Sequence, residues 1–462
     1  MHSLNKEIEL LFSKLFPICR SITGKGVRDS LSILNKYSAI NIKEIKSGEK
    51  CYDWEIPQEW NIRDAYIADD KGKKIIAFKE NNLHVVNYST PINQILSYEE
   101  LVKKIYYIKH IPDAIPYRTS YYKKDWGFCM PYNQFKKIKK NKNYTVFIDS
   151  DFSNGVMNYA EYTIKGNSKK TIIFSTYCCH PSMSNDNLSG LILWIILLNK
   201  LKKIKTKYTY KFICVPETIG AIGYLSKNEK EMQKVIGGFI LTCAAGKGIH
   251  GYKKSFLGNH WVDKFSMEVL AKLEDGYKLY DFDINGSDER QYSSPYFRIP
   301  IGTITKDKYY EYEGYHNSLD SRSFFNAKNL ISSLKIHLDL FKKIESSNLS
   351  KFTYNTDISN VKSCNIKKEY LKSNNPKCEP MLGKRNLYES LGGQFKNKAV
   401  PGTKANSEKK DIISNAILWV LFYSDSKNTL EDIMQKCNIS FKVLENAKNI
   451  LISHNLIKIV EK

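Results

Sequence analysis

The sequence has no cysteine framework. Its ten cysteines are scattered over 462 residues. No CxxC pair recurs at zinc-finger spacing, and a chain this long needs no disulfide staples. Reduced thiols and a cytoplasmic setting are the expectation. A membrane-length apolar run is also missing. The most apolar stretch, LILWIILL at 191–198, is too short to span a bilayer. Bounded by Gly190 and a lysine cluster, it predicts a buried helix. The opening MHSLNKEIELLFSKLF reads as an amphipathic helix with acidic residues, not as a signal peptide. Internal repeats and low-complexity tracts are absent. Acidic residues are in deficit: 48 Asp and Glu stand against 71 Lys and Arg, a net charge of +23. Such a balance admits nucleic acid, acidic lipid or an anionic substrate as partner. The lysines, however, are spread in short runs at 136–140, 202–205 and 409–411, as on a solvated surface.

What is present is an ordinary globular composition, 42% hydrophobic and 26% charged, in a chain long enough for two to four domains. Residues 3–16 and 26–37 predict helices, separated at Gly24 and Gly26. Residues 1–48 form the helical start of the main domain. From 49 to 155, short apolar runs between turn residues predict a small β-rich module. From 156 to 346 the texture is α/β. TIIFSTY (171–177), YKFICVP (210–216), GGFILTCA (237–244) and PIGTIT (300–305) are nearly continuous apolar strands, the pattern of a parallel or mixed sheet covered by helices. Helical stretches fall at 188–203, 220–235 and 331–344. Residues 347–410, rich in Ser, Asn and Lys, predict a linker or arm. Residues 411–462 predict three helices and a strand, a unit resembling a winged helix.

Metal ligands of hydrolytic zinc sites are usually His and carboxylate on loops at the C-terminal ends of strands. His180 and Asp186 follow the first strand here and Glu217 the second, while His316 lies in YEGYHNSLDS with Asp320 close by. Each alone has a plainer reading. A single His is often structural, Asp186 is a natural helix cap, and a Glu at a helix start favours the dipole. Their order after successive strands makes them candidates together.

Those blocks carry a resemblance. NDNLSG, PETIGAIG, GSDERQYSSPYFRIPIGTI and YHNSLD look like the DNASG, EExGLxGS, SDHxxF…GIP and YHTxxD blocks of the co-catalytic zinc aminopeptidases, over about 160–345. More of the chain resembles a bacterial family of aminopeptidase-like proteins. LFPICRSITGKGVR (15–28), DWEIPQEWNIRDAYI (53–67), LHVVNYSTP (83–91), IPYRTSYYKKDWGFC (115–129) and CCHPSMSNDNLSG carry that likeness. In that family a β-rich domain interrupts the peptidase fold and a winged helix follows it. Its members are often associated with surface-polysaccharide biosynthesis.

The resemblance implies that His180 and His316 are metal ligands, Asp186 the central carboxylate and Glu217 the general base. The general base would take a proton from the attacking water and pass it to the leaving amine. Departures reduce the ligand count. Thr218 stands where the second Glu of the pair belongs, Thr242 or Cys243 where an Asp is expected, and Ser182 where an Asp follows the first His. What remains is one zinc per chain on His180, Asp186 and His316 with an open position. A buried inert Cys243 is the plainer alternative to a thiolate ligand. Asp288 or Glu289 would hold a substrate amine, and Arg290 a carboxylate or oxyanion. Tyr117, Arg118, Tyr121, Tyr122 and Trp126 form either core packing or a lid over the cleft.

The expected function is zinc-dependent, aminopeptidase-like hydrolysis of an amide in a small peptide or polysaccharide precursor. Deacylation of an N-acyl sugar and a non-catalytic binding protein on a decayed peptidase fold are the alternatives. The C-terminal helices carry mixed charge, so a protein partner or self-association is expected there and DNA is not.

Overall fold

The structure, a computed structural model, describes residues 2–349, 369–388, 392 and 407–461. Its centre is an eight-stranded mixed sheet. The strands lie in the order 41–46, 156–164, 209–215, 171–177, 235–241, 301–306, 250–253, 278–280. The four inner strands, Thr209–Val215, Thr171–Tyr177, Val235–Leu241 and Ile301–Lys306, are mutually parallel. All seven residues of Thr171–Tyr177 are buried, which explains the unbroken apolar runs in the sequence. Helices Gly190–Leu201, Trp261–Leu270 and Ala327–Ser346 cover one face together with His2–Leu15 and Lys25–Tyr37. Helix Ile219–Lys227 covers the other face.

The 191–198 run lies in the first of these helices and is buried on every side, so the helix sits between two layers and not at a surface. Gly190 is where it starts. A Cβ there would lie 2.3 Å from the Leu241 carbonyl oxygen, so only glycine lets the helix approach the strand so closely. Gly24, at φ +97°, passes so near Trp60 that a Cβ would lie 2.0 Å from its carbonyl oxygen.

Between Asn41–Lys46 and Val156–Ile164, both in the main sheet, the chain leaves to build an antiparallel four-stranded sheet. Its order is Lys74–Ala77, Glu59–Ala68, Asn143–Ser153, Ile92–Ser97. At the C-terminal end, helices Ser407–Tyr423, Leu430–Lys436 and Phe441–Ser453 pack with a two-stranded sheet of Glu369–Ser373 and Ile457–Glu461. The first of these strands falls within the span that composition marks as linker, and the terminal unit therefore begins well before 411. Only Leu371 and Ser373 of that strand are buried, too few for a strand to show in a polar stretch. Most of the remaining expected linker lies outside the described residues. The terminal unit docks on the main domain through aromatic contacts. Phe282 lies 5.9 Å from Trp419 and 5.0 Å from Phe422. Arg298 donates to the Phe422 carbonyl at 2.9 Å. Among the described residues no helix is long and apolar enough to cross a membrane.

The nine described cysteines are unbridged. Buried His337 donates from Nδ1 to the Ser333 carbonyl at 2.8 Å, and its Nε2 has no hydrogen-bond partner among the described residues. Burial lowers its pKa to about 4. The imidazole is therefore neutral in the fold while the unfolded chain takes up a proton near pH 6.5. Its stabilising contribution is complete above that pH and is lost as pH falls toward 4. At ~1.4 kcal/mol per pKa unit, this one side chain should cost on the order of 3 kcal/mol across that interval. Urea denaturation at stepped pH should show a smaller acid loss for His337→Gln than for wild type.

Candidate metal centre

Because the inner strands are parallel, their C-terminal ends open on one edge of the sheet, where ligand-bearing loops collect. His180 lies three residues beyond Thr171–Tyr177, and Glu217 two beyond Thr209–Val215. His316 comes from the loop between Ile301–Lys306 and Ala327–Ser346. Three residues fix these loops. Buried Arg20 donates from Nε to the His180 carbonyl at 2.8 Å and from Nη1 to the Leu15 carbonyl at 2.6 Å. Buried Asp320 accepts from the backbone N–H of Asn185 at 2.7 Å and of Asp186 at 2.8 Å. Tyr117 donates its backbone N–H to the His316 carbonyl at 2.8 Å.

The result is a compact cluster. One oxygen of Asp186, Oδ2, lies 3.1 Å from His316 Nε2 and 3.9 Å from His180 Nε2. Glu217 Oε2 is 3.8 Å from His180 Nε2. Asp186 is 1% exposed, yet Oδ2 accepts no hydrogen bond among the described residues. Its other oxygen accepts from Tyr177 at 2.5 Å. Burial opposes the Asp186 charge, but His180, His316 and Tyr177 outweigh it and hold the carboxyl at about 2. Burial lowers His180 to about 4, leaving a neutral ring with a lone pair to give. A buried carboxylate oxygen without a hydrogen bond, facing two imidazole nitrogens, is a donor set that suits zinc. The one group of candidate ligands among the described residues is His180, Asp186 and His316.

Residues 9–347 match the family model described as a domain of unknown function, DUF4910. The chain belongs to the DUF4910 family. Residues 369–459 of this DUF4910 chain match a winged helix-turn-helix family. A Clostridium acetobutylicum protein is 40% identical over 454 residues, 98% of this chain and 96% of its own. Its provisional name is polysaccharide biosynthesis protein with aminopeptidase-like domain. A crystal structure from the same organism, described provisionally as a peptidase, aligns with 39% identity and a TM-score of 0.72. That alignment covers 99% of this chain and 97% of that one. A zinc aminopeptidase from Bacillus subtilis aligns at 13% identity and TM-score 0.54, over 75% of this chain and 97% of that one. The fold of the DUF4910 domain is therefore that of the zinc aminopeptidases, followed by a winged helix.

The positions where ligands were expected and are missing are engaged otherwise. Ser182 donates to the Phe16 carbonyl at 2.8 Å and accepts from Asn82 at 2.7 Å, joining three segments. Thr218, at φ 63°, gives its N–H to Asp288 at 2.7 Å. Thr242 shares a hydrogen bond with Tyr177 at 2.8 Å. Burial, with Asp186 close by, raises the Cys243 thiol well above its usual range, which disfavours a thiolate.

The three neighbouring charges part company. Asp288 lies beside Glu217; its Oδ2 has no hydrogen-bond partner among the described residues, and burial pushes it up to about 7. Glu289 is taken up internally, by Thr303 at 2.7 Å, the Ser287 N–H at 2.7 Å and Lys253 at 3.6 Å. Its oxygens are thus committed to the fold. Arg290 is paired with Glu379 at 2.6 Å. Tyr117 reaches the centre, with its ring 5.2 Å from that of His180 and 5.3 Å from that of His316. Buried Arg118 lies instead over Tyr106, at 5.9 Å. A cavity of about 960 Å³ lies between segment 16–29 and the inserted sheet. It meets the metal loops at Ser182, Ser318, Ser321 and Arg322, and none of His180, Asp186, Glu217 or His316 lines it.

Sequence reading missed Arg20 and Tyr177 and noted Asp320 only as a neighbour. Arg20 stands in the LFPICRSITG block, where a lone cation in a mostly apolar stretch was the available signal. Since Asp320 holds the backbone of the ligand loop, Asp320→Asn should weaken zinc binding by roughly 10–100-fold, as for other outer-shell residues. Competition titration with a zinc-sensitive dye should show this, and Asp186→Asn should lose more.

Proposed function

We propose that the chain is a zinc-dependent amidohydrolase. One zinc would be held by His180, Asp186 and His316, with Glu217 as general base. The observation that carries this reading is the Asp186 oxygen without a hydrogen bond, set between two histidines with Glu217 3.8 Å from one of them. Zinc would supply Lewis-acid polarisation of the reacting oxygen.

The residues of the chain would do the rest. Burial, Asp288 and Asp186 raise the Glu217 carboxyl well above its usual value, so Glu217 can take a proton and hold it. It takes that proton as the water oxygen bonds to the amide carbon. It returns it to the nitrogen as the C–N bond breaks, giving a carboxylic acid and an amine. The Tyr117 ring packs against both histidines and keeps bulk water from that side. The substrate would be a small peptide or an amide-bearing precursor of a surface polysaccharide. That context is supported by the name of the Clostridium relative. The winged helix would serve contact with a protein or a second copy, because Leu430–Lys436 and Phe441–Ser453 carry charges of both signs.

A second reading, a non-catalytic binding protein, is favoured by Thr218, Thr242 and Ser182 at positions where zinc aminopeptidases carry acids. The two readings separate in one experiment. Wild type and Glu217→Gln would be loaded with zinc and assayed on aminoacyl amides and N-acetylated amino sugars. Glu217→Gln should lose about 10²–10⁴-fold in kcat, the usual contribution of a general base, at unchanged zinc content. Stoichiometric zinc with no turnover of either class by wild type would favour the binding protein.

A further inference from the structure

The C-terminal unit does more than follow the DUF4910 domain. From the end of Glu369–Ser373 the chain runs as a strap over the segment that carries Asp288, Glu289 and Arg290. Pro376 accepts from the Tyr296 N–H at 3.0 Å, and Lys377 from Ser294 Oγ at 2.8 Å. Glu379 then makes four contacts. Its carboxylate takes Arg290 Nε at 2.6 Å and Nη2 at 3.3 Å. Its N–H donates to Gln291 Oε1 at 3.2 Å, and its carbonyl accepts from Trp54 Nε1 of the inserted segment at 2.8 Å. Beyond it the Met381 N–H, Lys384 and Arg385 all converge on Asp53. Gly392 bridges to Thr119, two residues from Tyr117. Both side chains of the Arg290–Glu379 pair are 14% exposed, so the pair is shielded from the screening that makes surface pairs weak.

The pair also adjoins the proposed base. Asp288, two residues before Arg290, holds the N–H of Thr218, the residue after Glu217. Arg290 is therefore tied on one side to the Glu217 loop and on the other to the strap. With Nε and Nη2 given to Glu379, the charge of Arg290 is already balanced and its side edge is taken, which weakens it as a partner for a substrate carboxylate.

We propose that the strap is a wall on the Glu217 side of the metal centre, with Glu379 as a positioning residue. By holding and neutralising Arg290 beside Glu217, it selects compact amides lacking a free carboxylate on the leaving side. Residue 379 lies in the winged-helix match and outside the DUF4910 match, so the site is composite across two family units. The selectivity claim rests on the amidohydrolase reading; the wall does not.

The test uses the full chain, wild type, Glu379→Gln and Glu379→Asp. Cys378 is 4% exposed and Cys214, in the central sheet, is 0% exposed. Iodoacetamide labelling would be followed at both thiols by peptide mass spectrometry. Glu379→Gln should speed Cys378 labelling about tenfold, the equivalent of one lost charge-assisted hydrogen bond. Cys214 should not change, and Glu379→Asp should restore much of the protection. An unchanged Cys378 rate, or an equal rise at Cys214, would overturn the wall.

For selectivity, kcat/KM would be compared on an aminoacyl amide and the matching dipeptide. Glu379→Gln frees Arg290 and should move the ratio about tenfold toward the dipeptide, mainly through KM. An unmoved ratio would overturn the positioning role. If neither substrate turns over while Cys378 opens as expected, the hydrolase reading fails, the selectivity role fails with it, and the wall stands.

Discussion

The two backbone hydrogen bonds accepted by Asp320 are the contacts on which the centre depends. They bring the loop after the first inner strand against the loop that carries His316. They hold the Asp186 backbone in place while Tyr177 holds its side chain. The Ser184 N–H donates to the Asp320 carbonyl at 2.9 Å, and Ser184 Oγ donates to Ser321 at 2.6 Å, so the two loops are joined at several points. The carboxyl bears a cost for this position, being buried beside Asp186 and pushed up to about 7 despite the N–H groups it accepts. Such a network serves geometry at some expense in stability.

Around that junction each added piece of chain contributes a contact. The amino-terminal segment supplies Arg20, and the inserted domain supplies Tyr117. The C-terminal unit supplies Glu379. The Bacillus subtilis aminopeptidase aligns with three quarters of this chain, so the two share a fold and a quarter of this chain lies outside the likeness.

The inner strands were legible because burial on both faces writes itself as continuous apolar runs. His180, Asp186, Glu217 and His316 were legible as a set because parallel strands force their loops to one edge, so chain order stands in for proximity. The fate of Asp288, Glu289 and Arg290 was not legible. Their partners are Thr218, Lys253 with Thr303, and Glu379, contacts across 14 to 89 positions, and nothing local tells which charge meets which. Strand Glu369–Ser373 stayed hidden because its partner is Ile457–Glu461 and only two of its side chains turn inward.

The separations of these contacts have a consequence for synthesis. Arg20 meets His180 across 160 positions, and Asp320 meets Asn185 across 135. A nascent chain that has built the sheet through residue 241 already carries His180, Asp186 and Glu217, but has neither the second histidine nor the residue that sets their spacing. Contacts that span so much chain form only after the intervening loops close. The centre would therefore assemble late, once the ribosome has released the segment around 320 and it has folded back. Until then the unfinished protein holds His180, Asp186 and Glu217 without the partner that sets their geometry.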